Sequence, residues 1–459
     1  MTAARHGRPG VAADGRVGEG GGGAPLLVHA AFAGCKVSQA DSEAVLACLA
    51  GRGCQAVDDP AQADVQVLLS CAVTSEAERS SRQLARRLAA HGRPVVVAGC
   101  AAALRPQQFA AAGLAVASAA AGRAAGVETV ARRVLELGGR RRTAPPHDGA
   151  AGGELVGQQR PAAAALTGGH GRTRFTLKVQ DGCAGHCSYC AVRLVRGRPW
   201  SLAADAAVER ARAAVEAGCG EIVLCGIDVG AWRDPRSGAG LAALVTRLAR
   251  LPGLGRLRLS SIEPRHLTEE LLEALAEPVV ARHLHVPLQS ADDGVLAAMG
   301  RPYTWRQYNE TVATARRRLP GLALSTDLIV GFPSENDEAF ARSLAAIGPS
   351  GGLFGRVHVF SYSPRAGTPA AALAPPPAAA VKARALLARE AAAAALRAAA
   401  TASLHAPARV LVEEYREGAW RGYSSTYVRY YLRGAGARGR MVDAVAESLH
   451  RDGVKGLIA

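Results

Sequence analysis

Cys183-Ala184-Gly185-His186-Cys187-Ser188-Tyr189-Cys190 directly follows the apolar run Phe175–Val179, and the two together decide how the centre of the chain is read. Three thiols spaced C-x3-C-x2-C can wrap one face of a 4Fe-4S cluster and leave its fourth iron without a protein ligand. The run Phe175–Val179 reads as a strand, so the cysteines sit on the loop after it, at the C-terminal end where β/α folds carry their chemistry. A structural zinc would ask for a fourth ligand and for paired C-x2-C turns. His186 is the neighbouring side chain that could supply that ligand.

Working outward from this loop, apolar strand runs recur at Glu221–Leu224, Arg256–Ser260, His283–Pro287, Leu322–Val330 and Arg356–Phe360, with helical patterns between them. Six such strand–helix units predict a partial (β/α)6 barrel. Pro375–Pro377 ends it, and Val381–Ala400 reads as a helix. Upstream, Pro25–Phe32, Val65–Ser70 and Val95–Ala98 read as strands alternating with helices over Asp41–Ala50 and Ser75–Ala90. That alternation predicts a doubly wound parallel α/β sheet. Beyond Arg409 the texture shifts to short strands, Val410–Glu414, Gly422–Tyr430 and Gly439–Val445, as in a small antiparallel β-barrel. The expected organisation is a Gly-rich tail over 1–24, an N-terminal unit over 25–140, a Pro/Gly/Ala-rich linker over 141–172, the core over 173–405 and a C-terminal module over 406–459.

The chain has 459 residues and a formal charge of +16 at a pI near 9.9, which favours a polyanionic partner without naming one. With 49 % hydrophobic residues it is not disordered throughout, and no apolar run reaches the roughly 20 residues that span a bilayer. The tail lacks the apolar stretch of a signal peptide, so the expectation is a cytoplasmic protein without a membrane anchor. In that compartment its ten cysteines point to metal or catalysis rather than to disulfides.

Cys35, Cys71 and Cys100 lie 36 and 29 residues apart, which is no local motif. Each, however, follows one of the three N-terminal strands, and in a parallel sheet all three would emerge at the edge where ligands bind. They read either as thiolates convergent on a second cluster or as three small hydrophobes at strand ends.

The Cys183–Cys190 run resembles the signature of radical S-adenosylmethionine enzymes, in which the open iron chelates S-adenosylmethionine and an electron releases a 5′-deoxyadenosyl radical. Over residues 25–459 the chain further resembles the methylthiotransferase family. The resemblance rests on Gly34-Cys35-Lys36-Val37-Ser38-Gln39, Ser70-Cys71-Ala72-Val73-Thr74, Ala98-Gly99-Cys100, Lys178–Cys183, Ser260–Pro264, His285–Ser290, Thr326–Pro333 and Phe360–Pro369. It implies two 4Fe-4S clusters with S-adenosylmethionine. Cys183, Cys187 and Cys190 would hold the radical-generating cluster, and Cys35, Cys71 and Cys100 the auxiliary one that presents the methylated sulfur. No further catalytic residue is assigned. The implied reaction replaces C–H by C–SCH3.

Among the family's substrates, Lys36-Val37, Leu259–Pro264 and Gly422–Tyr427 most resemble the group acting on N6-threonylcarbamoyladenosine beside the tRNA anticodon. The other known substrates are isopentenyladenosine and a ribosomal-protein aspartate, and a non-catalytic iron–sulfur RNA-binding protein is the reading from another class. The C-terminal module resembles a TRAM domain. There Tyr423, Tyr427, Tyr430 and Tyr431 interleave with Arg421, Arg429 and Arg433, a texture that suits RNA and equally suits a barrel core. The resemblance also implies tRNA (its anticodon loop) as partner, an electron donor such as flavodoxin or ferredoxin, and a monomer.

Cys48, Cys54 and Cys219 read as structural, and Cys225 as a small residue ending a strand near the S-adenosylmethionine site. His283 and His285 read as packing, and Glu263 and Asp327 as polar contacts to cofactor or substrate. Three departures from the family pattern stand out. Ser38 and Ser70 replace residues that are more often asparagine and threonine, changes expected to loosen the sulfur-donating site, and Cys225-Gly226-Ile227-Asp228 stands where other radical S-adenosylmethionine enzymes carry Gly-Gly-Glu.

Overall fold

The computed structural model describes residues 24–117, 124–142, 173–348 and 351–459; the tail to residue 23 and the expected linker from residue 143 lie outside the described residues. Near the N-terminus, β1 (Leu27–Phe32), β2 (Gln55–Ala56), β3 (Val65–Ser70), β4 (Val95–Gly99) and β5 (Ala115–Val116) form one sheet in the order β2-β1-β3-β4-β5. Every pair in it is parallel. The central strand β3 is buried at all of its residues, as an apolar run covered on both faces must be. Val45, Leu46 and Leu49 of the helix Lys36–Ala50 pack with Val130 and Val134 of Ala124–Arg142 in one core. Ala85 and Leu88 of the helix Ser75–Ala89 belong to a second. Two cores mean helices on both faces, so the sheet is doubly wound. Its strand order reverses between β1 and β3, and ligands bind at such reversals, beyond the carboxyl ends of the strands.

In the core, β6 (Arg174–Lys178) and the short pair β7 (Gln180–Asp181) and β8 (Trp200–Ser201) precede β9 (Glu221–Cys225), β10 (Arg256–Leu259), β11 (His283–His285), β12 (Ala323–Val330) and β13 (Arg356–Ser361). Two parallel three-stranded sheets, β6-β9-β10 and β11-β12-β13, are joined by a parallel bridge between Ser261 and His285. No pairing joins β6 to β13 among the described residues, so the barrel is open there. The predicted strands stand within one to two residues of those observed, because each is an apolar run closed by Gly, Pro or a charged turn.

The C-terminal strands β14 (Pro407–Arg416), β15 (Ala419–Ser424), β16 (Arg429–Arg433), β17 (Met441–His450) and β18 (Gly453–Ile458) close into a barrel in the order β14-β15-β16-β18-β17. The expected all-antiparallel barrel is corrected at one seam, since β16 and β18 pair parallel. The expected single strand Gly422–Tyr430 is in fact two strands, turned at Ser425–Val428. Tyr430, 1 % exposed, belongs to the barrel core, and Tyr431, 5 % exposed, is covered on the opposite face by His450, Arg421 and Asp452, so neither ring is open for stacking on RNA.

Candidate functional site

The cysteine loop Cys183–Cys190 leaves β7 at the C-terminal end of the core strands. It is aimed by Gly182, whose φ of +74° is left-handed and whose missing Cβ makes room for the backbone carbonyl of Arg198. All three thiols are partly accessible. The backbone N–H of Gly185 donates to Cys183 Sγ at 3.1 Å. The guanidinium of Arg301 donates to Cys187 Sγ at 3.4 Å. Burial pushes the Cys190 thiol up to about 11 and raises that of Cys183. Arg301 is itself braced by an ion pair with Glu263 and by Tyr303 Oη at 3.0 Å. Glu263 thus acts through Arg301.

Cys35, Cys71 and Cys100 do meet. Cys35 stands at the N-cap of the helix Lys36–Ala50 after β1, Cys71 follows β3, and Cys100 opens the helix Cys100–Leu104 after β4. Gly34, at φ +103°, has no Cβ because Cys71 Cβ and Sγ occupy that space. The hydrogen bond with Cys71 holds the Cys35 thiol low, at about 5, and the same bond with burial drives Cys71 up. Burial raises Cys100 as well, against the pull of Arg196. Ser70 does not loosen this edge: its hydroxyl donates to Ala98 O at 2.6 Å and accepts from the backbone of Ala102 at 3.0 Å, clamping β3 to the turn that carries Cys100. Ser38 Oγ lies 3.6 Å from Cys35 Sγ.

The two triads are tied by a buried ion network that sequence reasoning missed. Arg196, six residues after Cys190, donates to Cys100 Sγ at 3.2 Å, to Asp41 at 2.7 Å and to Asp181 at 3.2 Å. Lys178 pairs with both of those carboxylates. Two cations thus meet two anions across the boundary between the sheet and the core, which is the arrangement that makes buried charge tolerable. Nothing local announces Arg196, which sits in the unremarkable stretch Val192-Arg193-Leu194-Val195-Arg196.

Other candidates fall elsewhere. Cys225 is not open to a cofactor: Val37 and Ala40 of the N-terminal helix cover it completely. Asp228 accepts from Arg265 at 2.8 Å and lies 3.1 Å from His266 Nε2. His283 and His285 both contact Ser325 Oγ at 2.9 Å, and His285 continues to Asp327 at 3.2 Å. Cys48, Cys54 and Cys219 remain free and distant from both triads in role: Cys48 Sγ accepts from Arg52.

Thiolate sulfur is the donor set that an iron–sulfur cluster takes. Each triad offers three thiols with N–H donors already aimed at sulfur, and Arg196 Nη2 is a buried donor left without a partner beside Cys100. Among the described residues no three His, Cys, Asp or Glu side chains are drawn together around a single ion.

Residues 177–347 match the family described as the radical SAM superfamily, and residues 28–120 match the uncharacterized protein family UPF0004. The chain is similar to the threonylcarbamoyladenosine tRNA methylthiotransferase MtaB of Bacillus subtilis (strain 168), 32 % identical over 345 residues, covering 74 % of each protein. It is also similar to the tRNA-2-methylthio-N(6)-dimethylallyladenosine synthase of Syntrophobacter fumaroxidans, 34 % identical over 367 residues and 76 % of each. Among solved structures, the radical S-adenosylmethionine methyltransferase TsrM of Kitasatospora setae shares the fold with a TM-score of 0.52 at 16 % identity, over 75 % of each chain. The chain belongs to the radical S-adenosylmethionine methylthiotransferase family. It is an enzyme of that chemistry, with 4Fe-4S clusters and S-adenosylmethionine as its cofactors. No helix among the described residues is long and apolar enough to cross a membrane.

Proposed function

We propose that this enzyme inserts a methylthio group at C2 of N6-threonylcarbamoyladenosine beside the tRNA anticodon. The observation that carries the reading is the pairing of two cysteine triads across one boundary, bridged by Arg196, in a chain similar to MtaB. In this reading Cys183, Cys187 and Cys190 hold the cluster that binds S-adenosylmethionine, and Cys35, Cys71 and Cys100 hold the auxiliary cluster. When bound, the clusters and S-adenosylmethionine supply the radical, the sulfur and the methyl group.

The chain's own residues position and insulate. Arg301 and the Gly185 N–H offset negative charge on the thiolates of Cys187 and Cys183. The network of Arg196, Lys178, Asp41 and Asp181 fixes the separation of the two triads. The helix Lys36–Ala50 covers one flank of the core strands and keeps water from the region under Cys225.

The expected units over 25–140, 173–405 and 406–459 would act as auxiliary-cluster, radical and RNA-binding (TRAM) domains. The positive charge of the chain suits the tRNA backbone. A one-electron donor such as flavodoxin or ferredoxin and a monomeric, cytoplasmic enzyme complete the proposal.

A second reading, N6-dimethylallyladenosine as substrate, is favoured by the similarity to the Syntrophobacter enzyme. Mass spectrometry of nucleosides from tRNA of a strain deleted for the gene separates the two. Loss of 2-methylthio-N6-threonylcarbamoyladenosine, with its unthiolated precursor accumulating and complementation restoring it, is the expected result. Loss of the dimethylallyl derivative instead would establish the second reading.

A further inference from the structure

Tyr427, at the tip of the β15–β16 turn, carries a left-handed φ of +67°, an uncommon and costly conformation for an aromatic residue. The turn is held against the core. Arg258 donates to the carbonyls of Ser424 and Ser425 at 3.1 Å, and Arg282 N donates to Ser425 Oγ at 2.8 Å. The Tyr427 ring is thereby stacked between His283, at 4.8 Å, and Tyr423, at 4.9 Å. Four cations surround it: Arg258 at 4.7 Å, Arg174 at 5.5 Å, Arg356 at 5.6 Å and Lys36 at 5.8 Å from the ring centre.

These four are not equivalent. Arg258 and Arg174 answer Glu221, and Arg174 also answers Glu413 at 2.9 Å. Among the described residues neither Lys36 nor Arg356 has a carboxylate within ion-pair distance. Lys36 lines a cavity of about 360 Å³ with Arg174, Glu413 and Glu414, and Arg356 lines a second one of about 490 Å³ with His283 and Tyr427. The two cations share neighbours. Burial, then Arg258, His285, Lys36 and Arg356, hold His283 well below the ordinary imidazole range. His358 is lowered by burial and by His285, Arg356 and Lys36, against the single opposing carboxylate of Asp327.

Uncommitted hydrogen-bonding capacity lies in the same place. His283 Nδ1 and Ser260 Oγ are buried without partners. Residue alternation along β10 puts Ser260 on the face that carries Arg258. The surroundings of Tyr427 therefore hold two half-buried cations without ion-pair partners, one of them the residue after Cys35, and two buried polar atoms without partners lie nearby. A buried polar atom without a partner is costly unless a ligand completes it.

We propose that Lys36 and Arg356 bind the carboxylate of the amino-acid substituent on the target adenosine, and so determine substrate choice. This rests on the threonylcarbamoyl reading, since a dimethylallyl substituent carries no charge to answer. Arginine and lysine together suit one carboxylate, the guanidinium as a planar fork and the ammonium as a point charge.

The test measures binding by fluorescence anisotropy of two anticodon stem-loops to the cluster-loaded full-length enzyme, one carrying N6-threonylcarbamoyladenosine and the other its carboxylate methyl ester. The wild-type enzyme is expected to prefer the free acid by about tenfold or more, the scale of one charge-assisted hydrogen bond. Lys36→Met and Arg356→Met should each reduce that preference, and the double variant should abolish it while binding the ester as wild type does. Iron content and thermal melting check both variants, above all Lys36→Met, which neighbours Cys35. An unchanged acid-to-ester ratio in both single variants overturns the assignment, as does equal weakening on both stem-loops, which marks a phosphate contact. A wild-type enzyme that methylthiolates only a dimethylallyl stem-loop overturns the substrate reading first, and the assignment with it.

Discussion

Cys183, Cys187 and Cys190 are brought together by a single loop, whereas Cys35, Cys71 and Cys100 are brought together by a sheet. The first triad closes over eight residues of chain, so its entropy of assembly is small. The second exists only while β1, β3 and β4 remain in register, with Gly34 and Ser70 seating their ends. Two sets of three thiols are thus held by one local and one global device, and the two should fail differently.

The largest effect comes from removing a thiol of either set. Cys187→Ala should abolish 5′-deoxyadenosine formation and leave the auxiliary cluster visible by spectroscopy. Cys71→Ala should spare cleavage of S-adenosylmethionine and yield no methylthiolated nucleoside. Product from Cys71→Ala would dissolve the distinction between the triads.

Next in size is the tie between them. Arg196→Met leaves two buried carboxylates, Asp41 and Asp181, with Lys178 alone. Breaking a buried pair in this way costs about 3–5 kcal/mol, read as an earlier first transition in chemical denaturation. Iron loading of the sheet triad should fall with it, and an unchanged transition would show that the network is dispensable.

Somewhat smaller, and more selective, is a cavity in the sheet itself. Leu69→Ala, at a fully buried position of β3, should cost about 2–5 kcal/mol. It should lower the iron bound while 5′-deoxyadenosine formation persists, because the loop triad does not depend on β3. Equal loss of both functions would contradict the contrast.

A third assembled feature lies at the other end of the core strands, where Glu221 answers Arg174, Arg256 and Arg258. Burial alone would raise its pKa; Arg258 and Arg174 override that and bring it down to about 2 from 4.5. A depressed carboxylate stabilises the fold fully above pH 4.5 and loses that contribution as the pH falls towards 2. The amount is on the order of 3 kcal/mol. Acid titration followed by tryptophan fluorescence should show a transition in that window that Glu221→Gln removes, since its amide does not titrate.

The same contrast explains what could be read in advance. The loop triad was legible because its spacing is its geometry. The sheet triad was legible one step further, because apolar runs such as Val65–Ser70 mark strands and each cysteine stands just past one. The start of the helix Lys36–Ala50 was placed five residues late, at Asp41, since Cys35 caps it with no side-chain hydrogen bond and so gives no capping signal. Arg196, Arg301 and Asp41 were invisible because their partners are contributed by distant segments. The tyrosines of the C-terminal module misled for a related reason. Alternation cannot say which face is inward until the barrel closes, and here Tyr430 turns inside while Tyr427 points to the core.

The four-member charge network has a bearing on how such proteins can be recombined. A chimera joining this N-terminal sheet to a foreign core without an arginine at position 196 would inherit Asp41 with half of its counter-charge gone. The reverse graft would strand Arg196 and Lys178 over Asp181 alone. The two triad-bearing halves are therefore one heritable unit, and exchange between lineages should succeed only when both sides of that seam travel together.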